Sequence, residues 1–268
     1  MPHLKLTEIW IYPIKSLGGI SLSSAQVTGK GLLHDRRRML VDETNTAMTQ
    51  RDYPKMALLK SSISNGRLNI QYGKNALSID LAENNNTNPF HVNIWRDKVD
   101  AYEVSERHSQ WFSDILETRC KLVFFPEENP RPVDPRYKVN DEHVSLADAY
   151  PFLIIGESSL NDLNARLAEP VPMNRFRPNF VFEGGTPYEE DSWKKFAIGK
   201  TRFAGVKPSD RCVLTTVNQS TGEKGTEPLK TLATYRKREN KIYFGQNLVA
   251  LENGFVNVGD AIIVEEKI

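Results

Sequence analysis

The sequence predicts a mainly β protein of the α+β class. In the first hundred residues, short runs of alternating apolar and polar residues recur at intervals of roughly eight to twelve residues. Glycine, asparagine and proline separate these runs, which is typical of antiparallel sheets and barrels. Three longer segments show apolar residues at helical spacing. We therefore expect antiparallel sheets or a barrel, with about three to five helices.

The predicted strands follow the alternation of apolar residues along the chain. The first alternates around Ile9 and Ile11. In the N-terminal part, strands are expected at residues 5–12, 20–28, 38–42, 58–62, 68–72 and 76–81. Near the C-terminus, turns at Asn253-Gly254 and Gly259-Asp260 predict two further strands.

Helices are expected at residues 105–118, 157–167 and 227–236. Ser105 can cap the first of these, in which Trp111 and Ile115 fall on one face. Pro228 stands in the first turn of the third helix, where proline is tolerated.

A proline-rich stretch divides the chain. Residues 126–135 contain four prolines, which is typical of an irregular connector. A chain of 268 residues can form one large domain or two small ones. We therefore predict a domain boundary near this stretch, which separates residues 1–125 from residues 126–268.

Composition excludes several classes of protein. A net charge of +1 provides no overall field that would attract nucleic acid or a membrane surface. The chain has no apolar run of the ~18–20 residues that a membrane span requires, and its first residues lack the apolar core of a signal peptide. Its two cysteines exclude a disulfide framework or a four-cysteine metal site within this chain. We therefore expect a cytoplasmic protein in a reducing compartment.

Cys212 is the strongest single candidate for chemistry. It follows a turn with Pro208, Ser209 and Asp210, stands beside Arg211, and opens an apolar run. We expect its thiol at the mouth of a strand, where a thiolate can be stabilised, reached, and used as a soft metal ligand. By contrast, Cys120 ends the predicted amphipathic helix and is interpreted as a packed small hydrophobe.

Two basic clusters could bind an anion. Lys15 and Ser16 end the first strand and precede two glycines, so they predict either a phosphate grip or a structural turn. The run 36–38 is all arginine and enters a strand, where Arg36 and Arg38 would share one face. It is either a solvated charged face or a bidentate clamp for phosphate or carboxylate.

Two polar clusters precede apolar runs and could cap buried strands or line a site. The first covers residues 145–151 and the second residues 174–179. In the second, Arg177 precedes a proline, which predicts an extended backbone there. The five histidines show no metal-ligand spacing, so a histidine zinc site is not expected.

Together these clusters resemble a known family. The order and spacing of a dozen short motifs are similar to those of MOSC proteins of the mitochondrial amidoxime-reducing component type, which have an N-terminal β-barrel domain. The resemblance covers almost the whole chain. It implies a small N-terminal β domain over residues 1–125, followed by a MOSC β-barrel with a few helices over residues 126–268. Its motifs include residues 12–16, 34–36, 49–51, 148–154, 174–179, 190–193, 211–217, 227–232, 244–246 and 258–260.

The resemblance implies a molybdenum cofactor, Mo-molybdopterin, with Cys212 as both the metal ligand and the catalytic residue. Carried over from the family, the cofactor-binding positions are Lys15, Ser16, Arg36, Asp148, Ala149, Tyr150, Arg177, Asn179, Asp210 and Arg211. Lys15, Arg36 and Arg177 suit the phosphate of the pterin. Tyr150 departs from the family pattern, in which a serine or threonine is common, so only backbone contacts are expected at that position.

The resemblance also implies a function. The chain would reduce small N-hydroxylated compounds, such as amidoximes, hydroxylamines and N-hydroxylated bases, in the cleft between its two domains. It lacks the cysteines of an iron–sulfur domain, so a separate ferredoxin, flavodoxin, cytochrome or reductase would donate the electrons. One alternative is a sulfur carrier with a Cys212 persulfide, for which pyridoxal phosphate on this chain is unlikely. Another is a cofactor-binding barrel without turnover.

Overall fold

A computed structural model describes residues 3–82 and 88–268 of the chain. Strands predominate and three α-helices are present in the described residues, which confirms the predicted mainly β class. The strands are β1 (Lys5–Ile11), β2 (Ile20–Leu22), β3 (Ser24–Thr28), β4 (Gly31–Leu32), β5 (Arg38–Val41), β6 (Lys60–Ser64), β7 (Arg67–Tyr72), β8 (Asn75–Asp80), β9 (Phe90–Ile94), β10 (Asp97–Glu103), β11 (Lys121–Phe124), β12 (Phe152–Gly156), β13 (Phe180–Glu183), β14 (Trp193–Ile198), β15 (Thr201–Asp210), β16 (Lys237–Arg238), β17 (Lys241–Ala250), β18 (Gly254–Asn257) and β19 (Ile262–Lys267). The helices are α1 (Glu106–Leu116), α2 (Glu157–Asn164) and α3 (Leu229–Tyr235), with 3₁₀ turns at Pro54–Leu58, Met173–Arg175, Glu189–Ser192 and Val213–Thr216.

The strands form one large sheet and three small ones. The large sheet has nine strands in the order β19-β14-β15-β17-β12-β13-β1-β2, with β16 paired to β17. The small sheets have the orders β5-β11-β10-β9, β18-β3-β4 and β6-β7-β8. The N-terminal strand β1 thus lies inside a sheet made mostly from the C-terminal part, and β18 pairs with β3.

The main core lies against the large sheet. On β1, Leu6, Ile9 and Ile11 are buried. They pack in a cluster with aromatic side chains from β12 and β13, where Phe152 stacks on Phe180 with ring centroids 5.7 Å apart. Each fully buried side chain of this kind stabilises the fold by roughly 1.5–3 kcal/mol. This packing fixes the end of β1, from which the polar residues of the site emerge.

Helix α1 forms as predicted. The Ser105 hydroxyl accepts a hydrogen bond from the backbone N–H of His108, and Phe112 and Leu116 are buried against the small sheets. Glu117 adopts a left-handed conformation and ends the helix. Cys120 is buried beside this helix, and burial raises the pKa of its thiol, as befits a packed apolar residue.

Several predicted boundaries differ from the structure. The segment predicted as one strand over residues 20–28 is divided at Ser23 into β2 and β3. The segment predicted over residues 58–62 begins with a 3₁₀ turn, so its strand starts at Lys60. The connector after β11 has no named helix or strand until β12, as its prolines predict. The division of the chain near residue 125 stays a prediction.

Within the described residues, no helix is both long and apolar enough to cross a membrane.

Candidate functional site

A pocket of about 160 Å³ opens where β1, β5, the connector, β13 and β15 end or begin. All eleven residues predicted for the site line it: Lys15, Ser16, Arg36, Asp148, Ala149, Tyr150, Arg177, Asn179, Asp210, Arg211 and Cys212. The structure thus brings together side chains that are separated by up to about two hundred positions in sequence. Their roles stay predictions. Arg51, Ser209 and Asn247 also line the pocket, and sequence analysis did not assign them.

Lys15 and Asp148 form an ion pair at one side of the pocket. The ammonium group of Lys15 is buried, and it donates to a carboxylate oxygen of Asp148 at 2.5 Å and to the carbonyl of Leu146 at 2.9 Å. Burial lowers the pKa of Lys15 to about 8, although Asp148 partly opposes this shift. Desolvation alone would raise the pKa of Asp148, but Lys15, Arg51 and Arg36 hold it far below its usual value. Asp148 therefore stays ionised at neutral pH.

The two glycines after Ser16 do not face the pocket. A Cβ atom on Gly19 would lie 2.6 Å from the ring of Tyr12, so glycine permits close packing there. Of the segment predicted to bind phosphate, only Lys15 and Ser16 therefore line the pocket.

Arg36 and Arg177 stack on the buried ring of Tyr12. Their guanidinium carbons lie 4.5 and 4.1 Å from its centroid. Arg36 donates to Asp35 at 2.5 Å and to the carbonyl of Arg177 at 3.2 Å. Burial lowers the pKa of Arg177 to about 10, and its Nη2 atom is buried without a hydrogen-bond partner. Tyr12 thus supports two cations at the edge of one pocket.

The backbone around both arginines differs from the predictions. Arg177 has a φ of 55°, so the expectation of an extended residue before proline is wrong. Arg36 has a φ of 51° and precedes β5, so it does not share a strand face with Arg38. Left-handed conformations are unfavourable for arginine, and the tertiary contacts with Tyr12 and Asp35 accompany them here.

Arg211 closes another side of the pocket. It donates to the Ser209 hydroxyl at 3.0 Å and to the carbonyl of Phe176 at 2.6 Å. Burial lowers its pKa, while the nearby carboxylates of Asp148 and Asp210 partly oppose this shift. The Nε atom of Arg211 is buried and has no hydrogen-bond partner. It is the second unpaired guanidinium donor in this pocket.

Cys212 follows a strand and does not open one, which corrects the prediction from its apolar run. β15 ends at Asp210, and residues Val213–Thr216 form a 3₁₀ turn. The Cys212 carbonyl accepts hydrogen bonds from the Thr215 N–H and hydroxyl, at 3.1 and 2.9 Å. Threonine hydroxyls can bond to nearby backbone groups in this way and compete with strand pairing. The cysteine is half-buried at the pocket wall.

Arg51 is the main functional residue that sequence analysis missed. Its Nε and Nη2 atoms donate to the Cys212 sulfur at 3.1 and 3.0 Å. Its guanidinium group also lies 3.8 Å from Asp148 and 4.0 Å from the ring centroid of Trp95. The motif at residues 49–51 was a possible signal, but nothing local in it pointed to a cysteine 161 positions away.

The other predicted residues have partners within the protein. The Asn179 side chain accepts from Arg36 at 3.4 Å and donates to the carbonyl of Trp10 at 3.1 Å. Asp210 lies 3.3 Å from Lys241. Burial raises the pKa of Tyr150, so its phenol stays neutral. Asn179 and Asp210 therefore line the pocket and also connect its wall to neighbouring residues.

The donor set of this pocket fits an anionic ligand that carries a soft metal. Five cationic side chains line it against two carboxylates, those of Asp148 and Asp210. Buried donors without a partner destabilise a protein by about 1–3 kcal/mol each unless a ligand satisfies them. A phosphate group would pair with these guanidinium groups, and a thiolate is the preferred ligand of soft metals. Among the described residues, His, Cys, Asp and Glu form no group of three or more that could hold a metal ion alone.

Comparison with known families divides the chain into two matched regions. Residues 3–119 match the MOSC N-terminal beta barrel domain, and residues 141–263 match the MOSC domain. Both matches agree with the resemblance drawn from the motifs.

Individual relatives match nearly the whole chain. Mitochondrial amidoxime-reducing component 1 of Mus musculus is 36% identical over 96% of this chain and 81% of its own length. The Homo sapiens protein of the same name is 32% identical over 96% of this chain and 82% of its own length. Molybdenum cofactor sulfurase of Arabidopsis thaliana is 32% identical over 91% of this chain, but over only 33% of its own length.

These relatives correct the predicted location. The matched amidoxime-reducing components are mitochondrial by name, so the expectation of a cytoplasmic protein is wrong. That expectation rested on net charge, cysteine usage and the composition of the first residues, and these features do not distinguish between reducing compartments. The identity and coverage of the relatives show that the chain belongs to the amidoxime-reducing component family of MOSC-domain proteins.

Proposed function

We propose that the protein is an oxidoreductase that holds Mo-molybdopterin in this pocket and reduces N-hydroxylated compounds. One observation carries the cofactor assignment: unpaired donors of Arg177 and Arg211 lie in the same pocket as the half-buried sulfur of Cys212. The matched amidoxime-reducing components support the reaction class.

Each part of the pocket has a distinct role in this proposal. Lys15, Arg36 and Arg177 bind the phosphate, and the unpaired Nη2 of Arg177 gains a partner. Ser16, Asp148, Ala149 and Tyr150 would hold the pterin, to which Ala149 and Tyr150 would contribute backbone groups. Asn179, Asp210 and Arg211 hold the wall beside it. Cys212 supplies the sulfur ligand of the metal.

The bound cofactor would supply two-electron reduction and removal of the substrate oxygen. Overall, an amidoxime, two electrons and two protons give an amidine and one water molecule. The electrons come from a separate donor protein. Around this chemistry, Arg51 keeps the Cys212 sulfur in place through two N–H···S hydrogen bonds. The ionised Asp148 holds the Lys15 ammonium at the pocket wall, where it would be available to a bound phosphate.

A second candidate function is sulfur transfer through a persulfide on Cys212. The match to a molybdenum cofactor sulfurase over 91% of this chain favours it. So does the half-buried position of the sulfur at the pocket wall, since sulfur transfer requires a thiol that a partner can reach. In that case the protein would carry a persulfide without pterin.

Metal and pterin analysis of protein from a molybdate-supplied host tests the proposal. We expect about one molybdenum and one pterin per chain, together with reduction of benzamidoxime by a chemically reduced dye. Cys212→Ala should lose both molybdenum and turnover, and yet keep a native near-UV circular dichroism spectrum. Cys120→Ala is the matched control, because Cys120 is packed beside α1, and it should keep both.

Three results would contradict the proposal. Full molybdenum content in Cys212→Ala would refute the ligand assignment. A persulfide without pterin would favour the sulfur carrier. Bound cofactor without reduction of any N-hydroxylated compound would indicate a binding protein that does not turn over.

A further inference from the structure

Trp95 lies in a turn where tryptophan is unfavourable. Ile94 pairs with Asp97, so Trp95 and Arg96 form the two-residue turn between β9 and β10. Trp95 has a φ of 56°, a conformation that favours glycine, asparagine or aspartate in such turns. A large residue held in this region is a sign of a specific constraint.

The indole of Trp95 is fixed by residues of the pocket. Its N–H donates to a carboxylate oxygen of Asp148 at 3.2 Å. The Arg51 guanidinium stacks on the ring at 4.0 Å, and the Lys15 ammonium lies 5.7 Å from the centroid. Trp95 is not one of the lining residues, but it contacts Arg51 and Asp148, which are.

This arrangement places an aromatic surface near the part of the pocket that contains Cys212. The Arg51 guanidinium contacts both the indole ring and the Cys212 sulfur. Trp95 nevertheless remains 48% exposed, and the adjacent Asp148 side chain is 59% exposed, so this side opens to solvent. Val213, directly after Cys212, is 54% exposed and Leu214 lines the pocket, which adds apolar surface close to the same sulfur.

We propose that Trp95 is a specificity-determining residue, and that its exposed indole surface binds the planar, aromatic part of the substrate. This inference rests on the proposed reduction of N-hydroxylated compounds. A substrate whose N–O group lies near Cys212 must extend its remaining atoms toward the solvent side. On that side of the pocket, Trp95 and Val213 provide exposed, uncharged surface. Aromatic amidoximes should therefore bind more tightly than aliphatic ones.

The experiment compares benzamidoxime with acetamidoxime on molybdenum-loaded protein. Trp95→Leu should raise the KM for benzamidoxime about tenfold, because an apolar contact of this size contributes about that factor. A loss that acts through Arg51 should be the same for both compounds, so the ratio of kcat/KM for benzamidoxime to that for acetamidoxime should fall about tenfold. Trp95→Phe should retain most of the benzamidoxime affinity. The matched control is Phe255→Leu, since Phe255 is an exposed aromatic residue on β18 outside the pocket lining, and its constants should not change.

Equilibrium binding to the oxidised, loaded protein without a reductant is the second readout. Calorimetry should show tighter binding of benzamidoxime than of acetamidoxime, and Trp95→Leu should abolish the difference. If turnover is absent but this difference is present, the proposed function fails and the inference stands. Equal affinity for the two compounds in the wild type, equal losses for both in Trp95→Leu, or binding of neither compound would overturn the inference.

Discussion

Arg51 donates two hydrogen bonds to the sulfur of Cys212, at 3.1 and 3.0 Å. The two residues come from opposite parts of the chain. Arg51 follows β5 in the N-terminal part, and Cys212 follows β15. The sulfur can therefore keep this orientation only while both parts are packed together.

Arg51→Ala should weaken metal retention. Residues that orient a metal ligand typically contribute a factor of about 10–100 to metal affinity. We expect faster loss of molybdenum to a chelator, measured by elemental analysis over time, and an intermediate rate for Arg51→Lys, which cannot donate in bidentate geometry. Arg119→Ala, at an exposed ion pair with Glu43, should behave as the wild type. Wild-type retention in Arg51→Ala would contradict an orienting role.

Arg177→Met should have opposite effects on stability and anion binding. Removing a buried cation with an unpaired donor should stabilise the cofactor-free protein by about 1 kcal/mol in urea denaturation. The same change should weaken phosphate binding at least tenfold, measured by calorimetry. Arg202→Met, at an exposed ion pair with Glu265, should change stability by less than about 0.5 kcal/mol. A destabilised variant with unchanged phosphate affinity would show that Arg177 is structural.

Phosphate binding to the cofactor-free protein should take up protons above pH 8. Burial lowers the pKa of Lys15 to about 8, so this residue is largely neutral at pH 9. A bound phosphate dianion favours the charged form and raises that pKa again. Calorimetry in buffers of different ionisation enthalpy should therefore detect uptake of close to one proton at pH 9, and little uptake at pH 7. Lys15→Met should show none at either pH, and equal uptake in both proteins would assign the proton elsewhere.

Glu190 should make the protein less stable as the pH rises from 5 to 7. Its carboxyl is fully buried, where it accepts hydrogen bonds from Gly156 and Ser159, and desolvation raises its pKa to about 7. The folded state then binds more protons than the unfolded state between pH 4.5 and 7, so stability declines through that window. We expect the free energy of unfolding of the wild type to decrease by about 2 kcal/mol between pH 5.5 and 7.5, relative to Glu190→Gln. Parallel curves for the two proteins in urea denaturation would exclude this contribution.

Local patterns predicted the elements well where packing agrees with propensity. The alternation in β1 and the cap at Ser105 both appear in the structure. The strand predicted after Cys212 is wrong. Its β-branched residues favour a strand, but the hydroxyls of Thr215 and Thr216 donate hydrogen bonds to the carbonyls of Cys212 and Val213, and the segment forms a 3₁₀ turn. Such local competition cannot be decided from composition alone.

The site was predictable to the extent that its motifs resemble a family. That resemblance named Lys15, Arg177 and Cys212, and the structure places them in one pocket. It did not reveal Arg51 or Trp95, whose roles depend on contacts across the fold. The left-handed backbone of Arg177 also lay beyond sequence reasoning, since its stacking on Tyr12 is a tertiary contact.

The position of β1 within the large sheet has a consequence for synthesis of the protein. β1 pairs with β13, and Lys5 forms a bridge with Ala261. On the ribosome, β1 can pair with β2 early, but it must wait for β13, which is translated about 10–30 s later at ordinary elongation rates. During that interval its apolar side chains, Leu6, Ile9 and Ile11, are not buried in the core, and chaperones can bind them. A chain that is truncated in its last strands would retain every basic residue of the pocket, and yet have no finished sheet to hold them.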